Sequence, residues 1–146
     1  MRPANRSKVF FFLNDVTLNL THRKNLRRFI EDSIVKEGMK VESVSYIFCT
    51  DSFLLKLNRQ FLKHNSYTDI ITFNMPEKKD LIKADVFISV DRVRENAKRI
   101  GVTITSELHR VIFHGALHLC GYRDKTQSEK KVMRKLEDEW LSRYFS

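Results

Sequence analysis

Hydrophobic positions along the chain recur at two different spacings, which predicts a mixture of strands and helices. Segments 9–13 and 16–20 are rich in Phe, Val and Leu, and an Asn-Asp turn signal separates them, so both are predicted as strands. Segment 41–50 alternates apolar and polar residues, as a half-buried strand does. Segments 70–73 and 86–90 are predicted as two further strands, and their spacing permits a hairpin.

The first two predicted helices have apolar residues on one face only. One covers 22–37, with Thr21 as its N-cap and Gly38 just after its end. The next begins at Asp51, predicted as its cap, and a loop over 63–67 follows it. Its predicted apolar stripe consists of Phe53, Leu54, Leu57 and Phe61.

Two more helices are predicted between the last strand and Cys120. Asp91 is expected to cap a charged helix, which Gly101 ends. Thr105 or Ser106 is expected to cap the following helix, which is apolar and reaches about Cys120.

A last helix is predicted near the C-terminus. Thr126 and Glu129 have the spacing of a capping box, which marks a helix start. The residues expected on one face of that helix are Val132, Leu136 and Trp140. No repeat, linker or composition shift interrupts the chain, so residues 1–146 are predicted to form a single α+β domain.

Composition excludes several classes of protein. Apolar residues make up 42% and charged residues 31% of the 146 positions, which excludes collagen-like and largely disordered chains. The apolar runs are too short for a membrane helix, and the N-terminal segment lacks the features of a signal peptide. Cys49 and Cys120 indicate neither a disulfide framework nor a cysteine zinc cage. We therefore expect a soluble, cytoplasmic protein.

The charge balance adds a class of partner. Lys and Arg number 27 against 18 Asp and Glu, which gives a net charge of +9. Such a charge attracts polyanions, including nucleic acids, although it also occurs in basic proteins for solubility alone. Charge by itself does not choose between these interpretations.

The segment His114–Asp124 has the most specific pattern, H-x-x-x-H-x-x-G-x-x-D. His114 and His118 are four residues apart on a predicted helix, so both imidazoles can reach one ion. Gly121 suits the left-handed turn that ends a helix, and Asp124 can then fold back as a third ligand. Three protein ligands leave one tetrahedral position open, the arrangement of a catalytic zinc that activates water at neutral pH.

The remaining histidines and the residue after His114 limit this interpretation. His109 is rotated by roughly 140° from His114, so it, His22 and His64 are expected at the surface or in packing. Zinc proteases of the H-E-x-x-H type have a glutamate as general base where this chain has Gly115. Peptide hydrolysis is therefore the weaker interpretation of the metal site.

These residues resemble the signature H-G-x-L-H-L-x-G-Y-[D]-H of the YbeY family of metal-dependent endoribonucleases. Segment 57–59 is similar to the family's L-N-R motif, 67–73 to P-T-D-V-L-S-F, and 84–89 to G-D-I-x-I-S. The chain departs from the family at Tyr67, where the family has proline, and at Arg123 and Asp124, where the family has Asp and His. The four motifs occur in the family's order and cover roughly residues 55–124.

The resemblance implies a fold and a mechanism. The fold is a small mixed four-stranded sheet, packed with helices around a central helix that bears His114 and His118. The activity is cleavage of single-stranded RNA during maturation of the small-subunit ribosomal RNA 3′ end and in ribosome quality control. His114, His118 and Asp124 would hold one zinc ion, and the carboxylate would widen tolerance for Mn or a similar ion. Arg59 would bind the scissile phosphate and serve as a catalytic residue.

Two other functions remain open at this point. A metal-stabilised RNA-binding or ribosome-assembly factor would also fit the charge and the motif, and metal-dependent RNA turnover would distinguish the two. A zinc hydrolase of peptides is the third hypothesis. Basic residues of segments 23–36, 92–99 and 130–135 are the candidates to guide an RNA backbone, and the sequence does not show which of them do so.

Overall fold

The fold combines a four-stranded sheet with helices, which confirms the predicted α+β class. It was obtained as a computed structural model that describes residues 7–64 and 66–146. The elements are β1 (Val9–Leu13), α1 (Arg23–Lys36), β2 (Lys40–Cys49), α2 (Asp51–Leu57), a π-helical turn (Asn58–Leu62), β3 (Ile70–Asn74), β4 (Leu81–Ser89), α3 (Val90–Ile100), α4 (Ile104–Leu119) and α5 (Gln127–Tyr144). Residues 1–6, from the N-terminal segment considered above, and Asn65, from the predicted loop, lie outside the described ranges. None of the described helices is both long and apolar enough to cross a bilayer.

The sheet of the described chain has four strands in the order β1-β2-β4-β3. Strands β1, β2 and β4 run parallel, and β3 runs antiparallel to β4, so the sheet is mixed and the predicted hairpin is confirmed. Strand β4 begins at Leu81 instead of Val86, because the inward alternation of apolar residues already starts at Ile82. Strand β3 is outermost, so the loop that leads into it lies at an edge of the sheet.

Helix α4 lies at the centre of the fold, as the resemblance implies. It packs against the sheet on one side and between α1, α3 and α5 on the others, and Ile112, Phe113 and Ala116 are fully buried. Close packing against the sheet requires Gly115, since a Cβ there would lie 2.9 Å from Cδ1 of Ile70 and 3.1 Å from Cγ1 of Val86. This approach brings the C-terminal turns of α4 to the β3 edge.

The strand predicted over 16–20 is wrong. This segment is irregular, although Leu18 and Leu20 are buried and Val16 packs against the core. Both sides of β2 are already occupied by β1 and β4, so the sheet has no inner position for another strand. The Thr17 carbonyl instead accepts a hydrogen bond from Arg94. The apolar residues of segment 16–20 are therefore buried in the core or packed against it, without pairing in the sheet.

The predicted N-caps of the first four helices are also wrong by one to three residues. The caps of α2, α3 and α4 are Thr50, Ser89 and Thr103, in place of Asp51, Asp91 and either Thr105 or Ser106. In each case a hydroxyl accepts a free backbone N–H of the first turn, and an acid within that turn complements the helix dipole. Helix α1 starts after His22, which has a left-handed backbone and makes no capping bond, and not after Thr21.

Two predicted apolar faces need correction, whereas the capping box of Thr126 and Glu129 is confirmed. Phe61 is 58% exposed because the π-helical turn widens the helix and rotates this side chain off the stripe. Val132 is 49% exposed, and the buried face of α5 instead runs through Met133, Glu137 and Trp140. Because Glu137 is polar, a pattern of apolar residues alone misplaces the buried face of α5.

Candidate metal centre

His114, His118 and Asp124 come together at the C-terminal end of α4. The two histidines lie on its last turns, where a four-residue spacing places their rings on one face. Gly121 has a φ of 101° and reverses the chain, so Asp124 returns to that face. The two histidine Nε2 atoms are 3.0 Å apart, and they lie 3.2 Å and 3.4 Å from the same Oδ2 of Asp124.

These three atoms have the spacing that a tetrahedral metal site requires. Ligand atoms at 2.0–2.2 Å from a tetrahedral ion stand about 3.3 Å from one another. Two imidazole nitrogens and one carboxylate oxygen are also a ligand set that suits zinc and related divalent ions. His114, His118 and Asp124 are therefore a group that could hold a metal ion.

Both ligand histidines are oriented by hydrogen bonds from their other ring nitrogen. His114 Nδ1 donates to Oε2 of Glu137 at 2.6 Å, and His118 Nδ1 donates to the Tyr122 carbonyl at 2.8 Å. A carbonyl or carboxylate oxygen only accepts, so the proton lies on Nδ1 in both rings. The Nε2 atoms that face the cleft are thus the ones available to a metal.

Glu137 is buried, and its charge is paired on two sides. Its Oε1 accepts from Arg110 Nη1 at 2.9 Å, and Arg110 also pairs with Asp138. Burial opposes a charge on His114, but the hydrogen bond and negative charge of Glu137, with Asp124 and Asp69 nearby, outweigh it and raise the pKa of His114. The site therefore surrounds the His114 ring with the carboxylates of Glu137 and Asp124.

The three ligands open into a cleft of about 470 Å³ beside the loop that leads into β3. Its lining includes Thr68, Asp69, Ile70 and Arg123, together with the three ligands. Burial raises the pKa of Asp69, an effect that the charge of His114 partly offsets. The cleft thus contains a further carboxylate, Asp69, close to the ligand set.

Arg59 and the other histidines lie elsewhere. Arg59 occupies the exposed π-helical turn after α2, and within the described residues it does not line the cleft of about 470 Å³. His109 is buried among aromatic rings and donates Nδ1–H to the Thr105 carbonyl, whereas His22 and His64 are exposed. All three are thus at the surface or in packing, as predicted.

Sequence reasoning missed Glu137, Asp69 and the carbonyl of Tyr122 as parts of the site. A carbonyl carries no side-chain signal, and Asp69 lies far from the histidines in sequence. Glu137 could have been found, because it is an acidic residue on the same helical face as Met133 and Trp140. A charge at such a position requires a partner in the core.

The sequence comparison decides which family these residues represent. The sequence profile described as endoribonuclease YbeY matches residues 12–145. The chain belongs to the endoribonuclease YbeY family. Its member from Cytophaga hutchinsonii is 48% identical over 134 residues, which cover 92% of this chain and 94% of the relative. The YbeY endoribonuclease from Porphyromonas gingivalis strain ATCC 33277 is 42% identical over 92% of this chain and 89% of its own length.

The fold comparison agrees with this membership of the YbeY family. The solution structure of a Thermotoga maritima protein matches this fold with a TM-score of 0.63, and the two sequences are 25% identical. The alignment covers 93% of this chain and 89% of that one. The overall fold is therefore shared between the two chains.

Proposed function

We propose that the protein is a metal-dependent endoribonuclease that cleaves single-stranded RNA, with one zinc ion held by His114, His118 and Asp124. One observation carries the proposal: three oriented ligand atoms converge in an open cleft of a chain that belongs to an endoribonuclease family. Its biological role would be maturation of the small-subunit ribosomal RNA 3′ end and ribosome quality control in the cytoplasm. Residues 1–146 would act as one domain.

The ligands and their partners prepare the site for a metal. A divalent ion held there supplies Lewis-acid polarisation of a phosphate oxygen and activates water near neutral pH. Glu137 and the Tyr122 carbonyl hold the two rings in their ligating orientation. The two imidazoles would favour zinc, and the carboxylate of Asp124 would also accommodate Mn²⁺.

Two further residues are assigned roles in the reaction. Arg59 would bind the scissile phosphate through two parallel N–H donors and stabilise the charge that accumulates on it. Asp69 lines the cleft beside the ligands and would accept a proton from the attacking group or return one to the leaving oxygen. Neither role needs base recognition, which agrees with a substrate defined by being single-stranded.

Packing at Gly115 argues against peptide hydrolysis of the H-E-x-x-H kind. The position faces Ile70 and Val86 at 2.9 Å and 3.1 Å, so a glutamate there would enter the sheet and could not reach the cleft. The general base of those proteases therefore has no counterpart after His114. Asp69, which also lines the cleft, is the carboxylate that would be available for proton transfer.

A cleavage assay with single-stranded RNA tests the proposal. The metal-loaded protein should cut the strand, and chelation should stop the reaction until zinc or manganese is restored. Arg59→Ala should lose most of the activity and Arg59→Lys should recover little of it, since lysine cannot bind a phosphate through a planar fork. Asp69→Asn should lower the rate by about 10²–10⁴-fold with metal content retained.

The same assay separates the other two functions. Bound metal without RNA turnover, in the presence or absence of ribosomal subunits, would identify a metal-stabilised binding factor. Turnover of peptides but not of RNA would identify a peptidase. Either result would contradict the proposed nuclease.

A further inference from the structure

The first half of α5 has a concentration of positive charge next to the metal centre. Lys130, Lys131, Arg134 and Lys135 lie within its first three turns, and all four side chains are exposed. We call these four residues the α5 cation cluster. Within the described residues, none of these four side chains makes a hydrogen bond, an ion pair or a ring contact. The acidic residues of this helix that could neutralise them are concentrated further along, at 137–139.

The other basic helices differ, because many of their arginines already have partners. Those partners are the Leu20 carbonyl for Arg23, the Phe11 ring for Arg27, Asp51 for Arg92, the Thr17 carbonyl for Arg94 and Asn96 for Arg99. Every arginine of α3 is among them. The α5 cation cluster is therefore the basic segment whose charges are least used by the fold itself.

The spacing within the α5 cation cluster adds electrostatic repulsion, which Asp138 and Glu139, four residues after Arg134 and Lys135, offset only in part. Lys130 and Arg134 are four residues apart, as are Lys131 and Lys135, and like charges at that spacing repel each other. The cluster also begins at the end of the first turn, where the helix dipole adds positive potential. A negatively charged ligand would relieve both effects.

Two members of the cluster point to the side of α5 on which the metal centre lies. Lys130 precedes Glu137 by seven residues and Arg134 precedes it by three, so both lie within about 60° of Glu137 around the helix axis. Glu137 contacts His114. Burial raises the pKa of Glu107 on α4, and the nearby charge of Arg134 partly offsets that rise. Arg123 adds a further positive charge in the wall of the cleft, which Asp124 also lines.

We infer that Lys130 and Arg134, with Arg123, bind successive phosphates of a single-stranded RNA and lead its backbone into the metal cleft. The inference rests on the proposed function for its choice of ligand. It assigns the RNA track to α5, among the three basic segments that the sequence left open. Contacts to phosphates alone would make this part of the binding independent of base sequence.

The chain offers a matched control on α1. Lys24 and Arg28 have the same residue types at the same spacing, and both are exposed. They lie more than two helical turns before Glu37, whose carboxylate accepts a hydrogen bond from Tyr122 near the metal centre. Lys24→Gln with Arg28→Gln therefore removes the same charge at a distance from the cleft.

The experiment measures binding of a fluorescent poly-deoxythymidine strand to the metal-loaded protein at several salt concentrations, with a gel to verify that the strand stays intact. Poly-deoxythymidine carries the phosphate backbone of a single strand, so the assay measures binding without RNA cleavage. For Lys130→Gln with Arg134→Gln, the slope of log affinity against log salt should fall by about 0.7 for each lost phosphate contact. The melting temperature should stay equal or rise, because mutual repulsion is removed. The α1 control should keep more of the wild-type slope.

The results separate this inference from the proposed function. A slope that is unchanged in the α5 variant, or reduced equally in the α1 control, would overturn the α5 track even if the wild type cleaves RNA. A loss confined to the α5 variant would support the track even if the wild type showed no cleavage. RNA cleavage by the α1 control at the wild-type rate is expected, since Lys24 and Arg28 lie away from the cleft.

Discussion

Glu137 is the residue on which the geometry of the metal centre depends most, apart from the ligands themselves. Its two carboxylate oxygens have different partners. Oε2 accepts a hydrogen bond from His114, and Oε1 accepts one from Arg110. A buried carboxylate is costly unless it is paired, and here both partners carry or share positive charge. The residue thus links the orientation of a ligand ring to the packing of α4 against α5.

Glu137→Gln should weaken metal binding by about 10–100-fold, because the amide keeps the shape but loses the charge that holds the His114 ring. Competition with a chromophoric chelator would measure this affinity. Glu139→Gln, an exposed change two residues along the same helix, is the matched control and should bind metal as the wild type does. Equal affinities in the two variants would show that Glu137 has no role in the site.

At the residue scale, sequence could reveal the ligands and not their supports. His114, His118 and Asp124 are predictable because helical spacing and one glycine place them together within eleven residues of chain. Asp69 comes from another part of the chain and reaches the cleft only through the tertiary fold. Arg59 was identified by resemblance alone, and its part in catalysis remains a proposal.

At the scale of elements, the contact between α4 and the β3–β4 hairpin sets the position of the site. Gly115 permits this contact, and the ligand His114 is its immediate neighbour, so any displacement of the helix moves the ligand as well. Most helices and strands were predictable from their periodicity, but the caps of α2 and α3 were displaced because a hydroxyl just upstream replaced the predicted acid. Segment 16–20 failed because strand composition does not reveal whether a sheet has an open position.

Gly115→Val should destabilise the protein by about 1–3 kcal/mol, since its methyl groups would be forced into Ile70 and Val86. Chemical denaturation of the variant measures this cost. Adding Ile70→Ala should recover part of it, because the side chain nearest the new Cβ is removed, and the two changes together form a double-mutant cycle. Strictly additive effects would contradict direct packing between these positions.

His109 provides a pH-dependent link between α4 and the end of α5. Burial lowers its pKa, despite its bond to the Thr105 carbonyl, and its ring stacks on Tyr144. The unfolded chain therefore takes up a proton near pH 6.5 before the folded one does, so this contribution to stability is present above pH 6.5 and is lost as pH falls.

His109→Phe keeps the aromatic packing and removes the titration, so its unfolding free energy should fall less than that of the wild type between pH 7 and pH 5. Urea denaturation at a series of pH values measures the difference. His22→Gln, at an exposed position, should retain the wild-type dependence. The same pH dependence in all three proteins would exclude His109 as the cause.

At the scale of the whole molecule, groups from distant parts of the chain lie together at the C-terminal end of α4. The loop before β3 supplies Asp69, the turn after α4 supplies Asp124, and α5 supplies Glu137. The α+β class was predictable from alternation of element types, and the mixed four-stranded sheet came from the family resemblance. The strand order and the position of β3 at the edge came from the structure. A cleft between an edge strand and a central helix is thus a property of topology that local patterns do not encode.

The most direct test of the central claim is the metal content of the purified protein, measured together with its cleavage of single-stranded RNA. We expect one metal per chain in the wild type, with cleavage that a chelator abolishes and added zinc restores. His114→Ala should lose both the metal and the activity. RNA cleavage by His114→Ala at the wild-type rate, with no metal bound, would contradict a metal-dependent nuclease built on this site.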